Sequence, residues 1–358
     1  MMRWAGGACI AIALAAVAVL AASPSRADAT ELCRFNGDRL AEISGLAYSS
    51  THEGIVWAHN DSGGGAKLYA IDVADCRIRA VLTVRGVTAQ DPEAIATGTG
   101  STGTPVIWWG DVGDNTAERR HVEIHEIPEP RRLRDATVDA TTYRVRLDEP
   151  EDAEALLADG DRLWLIGKGL LGGTVWQLPT PLRSDRASRA RAVGEEEALV
   201  TDAAMRPGGG YAVRDYSEVR IYSGLPPGEL RARTPLPDQV QGEAMTWTPD
   251  GAALIVASEG DNRLLLVPID VPADSASEES VDPPPLEPTP SPPAPSATAT
   301  DSTSPGPSGA SSPSPVAAAL EPVDRVGSLA VTALAIGAAV FVVSVVAVAV
   351  AARIRARR

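Results

Sequence analysis

The sequence predicts an all-β protein built around a single β-propeller, and three features of its middle part carry this prediction. Five short segments recur at intervals of 41 to 61 residues, each with a small or acidic residue before small apolar ones. An aromatic or β-branched run follows every segment and ends in a polar residue, which is typical of a buried strand. Glycine turns separate the two in four of the five repeats. With two further strand-like runs in most repeats, the pattern is that of a four-stranded propeller blade.

We expect five four-stranded blades, with six as the alternative because the second repeat is long. The fifth repeat has no fourth strand of its own, so residues 31–35 are expected to supply that strand and close the ring. In the second and third repeats the fourth strands are predicted at residues 137–147 and 189–193. The innermost strands would begin at five spaced residues: Ser44, Glu93, Glu154, Asp202 and Glu243.

The charge of the chain excludes one class of partner. The 358 residues carry a formal net charge of −15, and residues 30–270 alone contain 25 basic and 38 acidic side chains. A nucleic acid is therefore not expected as a partner, because its phosphates would be repelled. Residues 30–270 suit one large propeller domain rather than two ordinary domains.

The two ends of the chain predict a single-pass membrane protein whose propeller lies outside the cell. Residues 1–29 have a basic start, an apolar run and an Ala-x-Ala site, as a signal peptide does, with an uncleaved anchor as the alternative. Residues 271–325 hold 14 of the 29 prolines and no aromatic residue, which indicates a disordered stalk, or else a segment that binds a proline-recognising partner. The 27 uncharged residues 326–352 are long enough for a transmembrane helix, and the basic tail 353–358 follows in the cytoplasm.

Two cysteines remain once the signal peptide is removed, Cys33 and Cys76. Disulfides persist outside the cell, and the repeat alignment places both residues on one face, at the outer rim of neighbouring blades. We expect a disulfide between them, with two free thiols as the alternative.

The strand directions of a blade predict an acidic channel mouth. The first strand begins on the face where the second strand ends, so the five starting residues share that face with a second ring: Asn60, Asp111, Lys168, Asp215 and Glu259. Many carboxylates around one lysine repel each other unless protons or a cation neutralise them. Oxygen ligands from Asp, Glu and Asn indicate calcium rather than zinc or copper, and the four histidines have no zinc-ligand spacing with the two cysteines.

The predicted metal ligands are the acidic and amide members of the two rings: Glu93, Glu154, Asp202, Glu243, Asn60, Asp111, Asp215 and Glu259. The alternative is that these side chains cap strand ends and bind the backbone of neighbouring blades, because repeated residues of a propeller are often architectural.

Five motifs resemble a group of secreted or membrane-anchored propeller proteins of actinobacteria with unassigned function: ISGLA at 43–47, WAHNDSG at 57–63, GDVGDN at 110–115, DAEAL at 152–156 and QGEA at 241–244. The acidic start of the innermost strands is also similar, more distantly, to phytase-like and gluconolactonase-type propellers. That resemblance implies calcium held by acidic and asparagine side chains at the channel mouth.

Two functions stay open at this point. The first is a surface binding module that presents the acidic funnel to a cell-wall glycan, a small molecule or a surface protein, and the stalk and anchor favour it. The second is a metal-dependent hydrolase of a phosphoester, ester or lactone, with calcium as Lewis acid. Its candidate catalytic residues are Glu93, Glu154 and Lys168, and the lysine would orient an anionic substrate.

Overall fold

The computed structural model describes residues 28–271, all within the first of two units of the chain, Met1–Glu279. The predicted signal peptide except its last two residues, the stalk after its first residue, the transmembrane helix and the basic tail lie outside the described residues. Within residues 28–271 no helix has the length and apolar character needed to cross a membrane.

Five blades of four antiparallel strands form a β-propeller, as the repeats predict. Blade 1 consists of β2 (Ile43–Tyr48), β3 (Ile55–Asn60), β4 (Lys67–Asp72) and β5 (Ile78–Val84). Blade 2 consists of β6 (Pro92–Thr99), β7 (Pro105–Asp111), β8 (Val122–Pro128) and β10 (Thr141–Arg146). Blade 3 consists of β11 (Ala153–Asp159), β12 (Arg162–Gly167), β13 (Gly173–Gln177) and β15 (Arg191–Glu196). Blade 4 consists of β16 (Asp202–Met205), β17 (Tyr211–Arg214), β18 (Glu218–Ser223) and β19 (Glu229–Pro235). Blade 5 consists of β20 (Gln241–Trp247), β21 (Ala253–Glu259), β22 (Arg263–Pro268) and β1 (Thr30–Arg34).

The ring closes after five blades. The innermost strands contact one another in chain order, and β20 of the last blade contacts β2 of the first. The N-terminal strand β1 pairs antiparallel with β22 and completes blade 5, which confirms the strand predicted at residues 31–35. The N-terminal strand therefore holds the last blade to the start of the chain.

Two short strands lie elsewhere than predicted. The segment predicted as the fourth strand of blade 2 is divided, since β9 (Ala136–Val138) pairs in parallel with β5 of blade 1 and only β10 lies in blade 2. In the same way β14 (Ser188–Arg189) pairs in parallel with β10, so the fourth strand of blade 3 begins at Arg191. An outer strand offers unpaired N–H and C=O groups, and the segment between the third and fourth strands of the following blade pairs with that edge.

The predicted disulfide is present and the blades pack through large aromatic side chains. Cys33 and Cys76 form a bond with a Cα–Cα distance of 5.5 Å, between β1 of blade 5 and the turn after β4 of blade 1. All six tryptophans of residues 28–271 are almost completely buried: Trp57, Trp108, Trp109, Trp164, Trp176 and Trp247. Only 4% of the chain is aromatic, and these tryptophans lie in the core, where each buries a large apolar surface.

Candidate functional site

A β-bulge at the start of the innermost strand turns one side chain of the blade towards the channel mouth. In four blades the pairing of the first strand with the second skips one residue, and the skipped residues are members of the first predicted ring: Ser44, Glu93, Glu154 and Glu243. A bulge leaves its extra residue unpaired and re-aims its side chain. Blade 4 has no bulge there, and Asp202 pairs in register with Arg214.

The bulged residues are buried and joined by hydrogen bonds across blade boundaries. Ser44 donates its hydroxyl to Oε2 of Glu93 at 2.6 Å. The hydroxyl of Tyr216 donates to Oε1 of Glu243 at 3.3 Å, and Nε2 of Gln241 donates to the same oxygen at 2.9 Å. Hydrogen bonds thus cross two of the blade boundaries at the mouth, that between blades 1 and 2 and that between blades 4 and 5.

The carboxylates of three ring members bind backbone or arginine groups of the protein itself. Both oxygens of Asp202 accept backbone N–H groups, one from the next residue and one from blade 5. Asp111 accepts two backbone N–H groups and pairs with Arg119 at 2.8 Å. Asp215 also accepts two backbone N–H groups and pairs with Arg220 at 2.8 Å. Asp202, Asp111 and Asp215 therefore make the contacts expected if the predicted metal ligands cap strand ends and bind the backbone instead of a metal ion.

Three other carboxylates converge at the boundary of blades 1 and 2. Asp61 follows β3, Asp91 precedes β6 and Glu93 is the bulged residue of β6. Each of the three offers a carboxylate oxygen, and these oxygens all lie within 4.8 Å of one another. We call this set the carboxylate cluster, and it is the group of acidic side chains in the described residues best placed to surround one cation.

The loop after β7 holds Asp91 of this cluster in place through two hydrogen bonds. The backbone N–H of Gly113 donates to the carbonyl of Asp91 at 3.0 Å, and the Asn115 side chain donates to Oδ2 of Asp91 at 3.4 Å. A Cβ atom on Gly113 would lie 2.5 Å from the Asp91 carboxylate, so only glycine fits at this position. Gly113, the second glycine of the GDVGDN motif, therefore leaves space for the side chain of Asp91.

Burial and the crowding of like charges change the protonation of the cluster. Burial, followed by repulsion from Asp91 and Glu243, raises the pKa of Asp61 to about 6. Burial and the neighbouring Glu154 raise the pKa of Glu93 well above its usual range, although the hydrogen bond from Ser44 partly offsets this. Burial also raises the pKa of Asp91. Without a cation, the cluster therefore retains protons at pH values at which isolated carboxyl groups have already lost theirs.

Glu154 and Lys168 form a buried pair beside the cluster. Nζ of Lys168 lies 3.0 Å from Oε1 of Glu154 and 5.7 Å from the centre of the Tyr216 ring. Burial would lower the pKa of Lys168, but Glu154 and Tyr216 outweigh it and raise that pKa. Burial raises the pKa of Glu154, and Lys168 partly offsets the rise. The second oxygen of Glu154, Oε2, is buried and has no hydrogen-bond partner among residues 28–271.

The last two ring residues, Asn60 and Glu259, end the second strands of the neighbouring blades 1 and 5. Asn60 donates from Nδ2 to the carbonyl of Arg39 at 2.9 Å, while its buried Oδ1 has no partner among the described residues. Glu259 accepts from the side chain of Gln241. Burial and a hydrogen bond with Glu42 raise the pKa of Glu259 to about 8.

The sequence interpretation missed a polar column that stands two residues before the ring residues. Its members in four blades are Glu42, Asp91, Asp152 and Gln241. Each borders the mouth: Asp91 belongs to the cluster, Asp152 accepts the backbone N–H of Asp114 at 2.7 Å, and Gln241 binds Glu243. The same repeat alignment that found the first ring contains this column. Tyr216, in contrast, has no counterpart in the repeat.

Comparison with known proteins finds similarity in solved structures alone, since no family model and no curated protein match the chain. One is a chain of the mitotic checkpoint complex, at 15% identity and a TM-score of 0.34, covering 64% of this chain and 62% of that one. Another is the Cps50 (Swd1) β-propeller domain of Myceliophteria thermophila, at 11% identity and a TM-score of 0.36, covering 64% and 84%. A third is the glutaminyl cyclase of Myxococcus xanthus, at 13% identity and a TM-score of 0.43, covering 70% and 99%. At these identities the functions of those proteins are not carried over to this chain.

Proposed function

We propose that this chain is a cell-surface binding module that holds a calcium ion at the mouth of its propeller channel. The observation that carries the proposal is the carboxylate cluster of Asp61, Asp91 and Glu93, whose oxygens lie within 4.8 Å of one another. Oxygens that bind one calcium ion at about 2.3–2.6 Å are separated by distances of this order. Burial, and after it repulsion between neighbouring carboxylates, raises the pKa of all three carboxyl groups, and a cation would favour their charged form.

The chemistry of the donors favours calcium over other divalent metals. The cluster offers carboxylate oxygen alone, and the buried His59 lies outside it against Gly45, where a Cβ would be 2.6 Å from His59 Nε2. Burial lowers the pKa of His59 to about 4. Zinc and copper favour imidazole or thiolate ligands, whereas calcium accepts several oxygens in an irregular arrangement. The unpartnered Oδ1 of Asn60, one residue before Asp61, is a further oxygen of the required kind.

The setting of the module is proposed from the sequence. A signal peptide at residues 1–29, a stalk at 271–325 and a transmembrane helix at 326–352 would place the propeller outside the membrane on a flexible tether. Ligands that suit such a position are a cell-wall glycan, a small molecule or a surface protein. The acidic charge of the domain disfavours nucleic acid.

Calorimetric titration of the purified full-length protein with calcium tests this proposal. We expect one calcium ion to bind, and we expect Asp61→Asn and Asp91→Asn each to weaken binding about tenfold or more, because each removes a ligand charge. Asp139→Asn is the matched control, since its carboxylate is 81% exposed and lies outside the mouth. The proposal is wrong if the wild type releases no heat of binding, or if the control weakens binding as much as the cluster variants do.

A hydrolase is the second candidate, and the pair of Glu154 and Lys168 favours it. A buried carboxyl group with a raised pKa and an unpartnered oxygen is suited to proton transfer, and an adjacent lysine is suited to hold an anionic substrate. Calcium-dependent turnover of p-nitrophenyl phosphate, p-nitrophenyl acetate or a simple lactone that is lost in Glu154→Gln would establish this activity. Turnover that Glu154→Gln leaves unchanged would contradict it.

A further inference from the structure

Large apolar side chains are exposed on the face of the propeller that carries the channel mouth. Among residues 28–271 six large apolar side chains are exposed, and five lie in loops of this face: Leu170, Leu171, Leu199, Tyr216 and Val240. These loops either follow the second strand of a blade or precede its first strand. We call the five residues the apolar rim. The sixth, Leu230, lies on the outer strand β19 and is not part of it.

A turn built of glycines presents the two most exposed members. Leu170 and Leu171 are 77% and 102% exposed, at the tip of the loop that joins β12 to β13. A Cβ atom on Gly169 would lie 1.9 Å from the carbonyl oxygen of Gly172, so the two ends of the turn touch and leave the leucines outside. The loop is also tied at its base, because the backbone N–H of Leu199 donates to the carbonyl of Gly169 at 3.0 Å. Leu170 and Leu199 therefore belong to one continuous surface.

The third leucine is held in an unfavourable backbone conformation. Leu199 has a φ of +62°, in the left-handed region that branched and bulky side chains rarely adopt. Its neighbour Val200 is completely buried, whereas Leu199 is 38% exposed. The conformation thus turns an apolar side chain to solvent while the next one packs inside. Strained residues of this kind are concentrated at binding sites and switch regions.

Acidic groups lie directly inside the rim. Tyr216 of the rim donates to Glu243, and Gln241, next to Val240, binds both Glu243 and Glu259. The one lysine of the mouth is already paired with Glu154, so it is not free to pair with Glu243 or Glu259.

We infer that the apolar rim and the acids inside it form a docking site for a segment of a partner protein that carries an arginine or lysine between apolar side chains. The apolar side chains would cover the leucines, and the cationic group would enter the acidic mouth. A second copy of this chain is disfavoured because its own domain carries 38 acidic and 25 basic side chains. An anionic membrane surface is disfavoured for the same reason. The inference rests on the binding role proposed above but not on the calcium ion.

Selection from a random-peptide phage library on immobilised full-length protein tests the inference, with calcium and again with chelator. We expect the selected peptides to be enriched in arginine or lysine beside leucine, isoleucine or phenylalanine. We expect the Kd of the best peptide to rise about tenfold or more in a Leu170→Ser/Leu171→Ser variant. We expect a similar rise in Glu259→Lys, which places a positive charge at the mouth whatever the protonation of Glu259. Leu230→Ser is the matched control, because it removes an exposed leucine outside the rim, and it should bind the peptide as the wild type does.

Three results would overturn the inference. One is that no peptide is enriched or that the enriched peptides have no basic and apolar bias. Another is that Leu170→Ser/Leu171→Ser binds the peptide as tightly as Leu230→Ser. The third is that the rim variant loses flotation with phosphatidylglycerol vesicles but not peptide binding, which would assign the leucines to a membrane. Calcium titration of the same rim variant separates the two proposals, because a failed docking site leaves calcium binding intact and a failed calcium site leaves peptide selection in chelator intact.

Discussion

The disulfide between Cys33 and Cys76 joins the strand that closes the ring to the first blade, and its removal should destabilise the whole propeller. The two residues are 43 positions apart, and closing a loop of that length in the unfolded chain is worth about 4 kcal/mol at 25 °C. One kcal/mol corresponds to about 2–4 °C in Tm for a domain of this size. Opening the bond should therefore lower the Tm by about 8–16 °C.

Two perturbations separate the covalent bond from the packing of its sulfur atoms. A Cys33→Ser/Cys76→Ala variant removes the bond permanently, with alanine at the buried Cys76 so that no hydroxyl is left without a partner. A thiol reductant opens the bond of the wild type without changing its sequence. Scanning calorimetry should show the full decrease in both cases and no effect of reductant on the variant. A decrease of less than about 2 °C in both experiments would refute the loop-closure reasoning.

Three further predictions concern the site and the core. Calcium affinity should rise from about pH 5 to about pH 8 in calorimetric titrations, because protons compete for Asp61, whose pKa is raised to about 6, and for Glu93; a flat profile would contradict this. Lys168→Met should destabilise the calcium-free protein by up to about 3 kcal/mol in urea unfolding. The loss should be larger at high pH than at low pH, because Glu154, whose pKa is raised, loses its proton as pH rises and then leaves a buried charge without its lysine partner. Lys67→Met, on the exposed surface, is the control. Trp109→Ala should cost about 3–5 kcal/mol in the same assay because its side chain is completely buried, and a loss below about 1 kcal/mol would be inconsistent with the packing described.

The sequence predicts the blades well because each blade repeats the same local pattern. The sequence predicts five blades from the spacing of the five strand starts and from the buried second strands. It predicts their closure from the unassigned strand at residues 31–35, and the structure confirms both. The pairing of Cys33 with Cys76 follows from the same alignment. The strands β9 and β14 are not predictable in this way, because a connection chooses its partner edge through long-range pairing rather than local pattern.

The site is predicted in part, and the difference between Glu93 and Asp202 shows why. Both stand at the same position of the repeat, but Glu93 lies on a β-bulge while Asp202 pairs in register and binds two backbone N–H groups. A bulge depends on the register between two strands, which a list of aligned residues does not contain. Asp91, the residue before β6, joins the cluster because its carboxylate lies close to that of Asp61 on the neighbouring blade, a proximity that the aligned ring residues do not contain.

Thermal unfolding of the full-length protein at about pH 8, with calcium, with magnesium and with chelator, tests the central claim most directly. Calcium at about 100 times its Kd should stabilise the protein by about 2.7 kcal/mol, which corresponds to a rise of about 5–10 °C in Tm. We predict this rise for calcium over magnesium, and its loss in Asp61→Asn and Asp91→Asn but not in Asp139→Asn. Equal melting temperatures in calcium and in chelator would show that the carboxylate cluster holds protons rather than a metal ion, and would contradict the proposed calcium site.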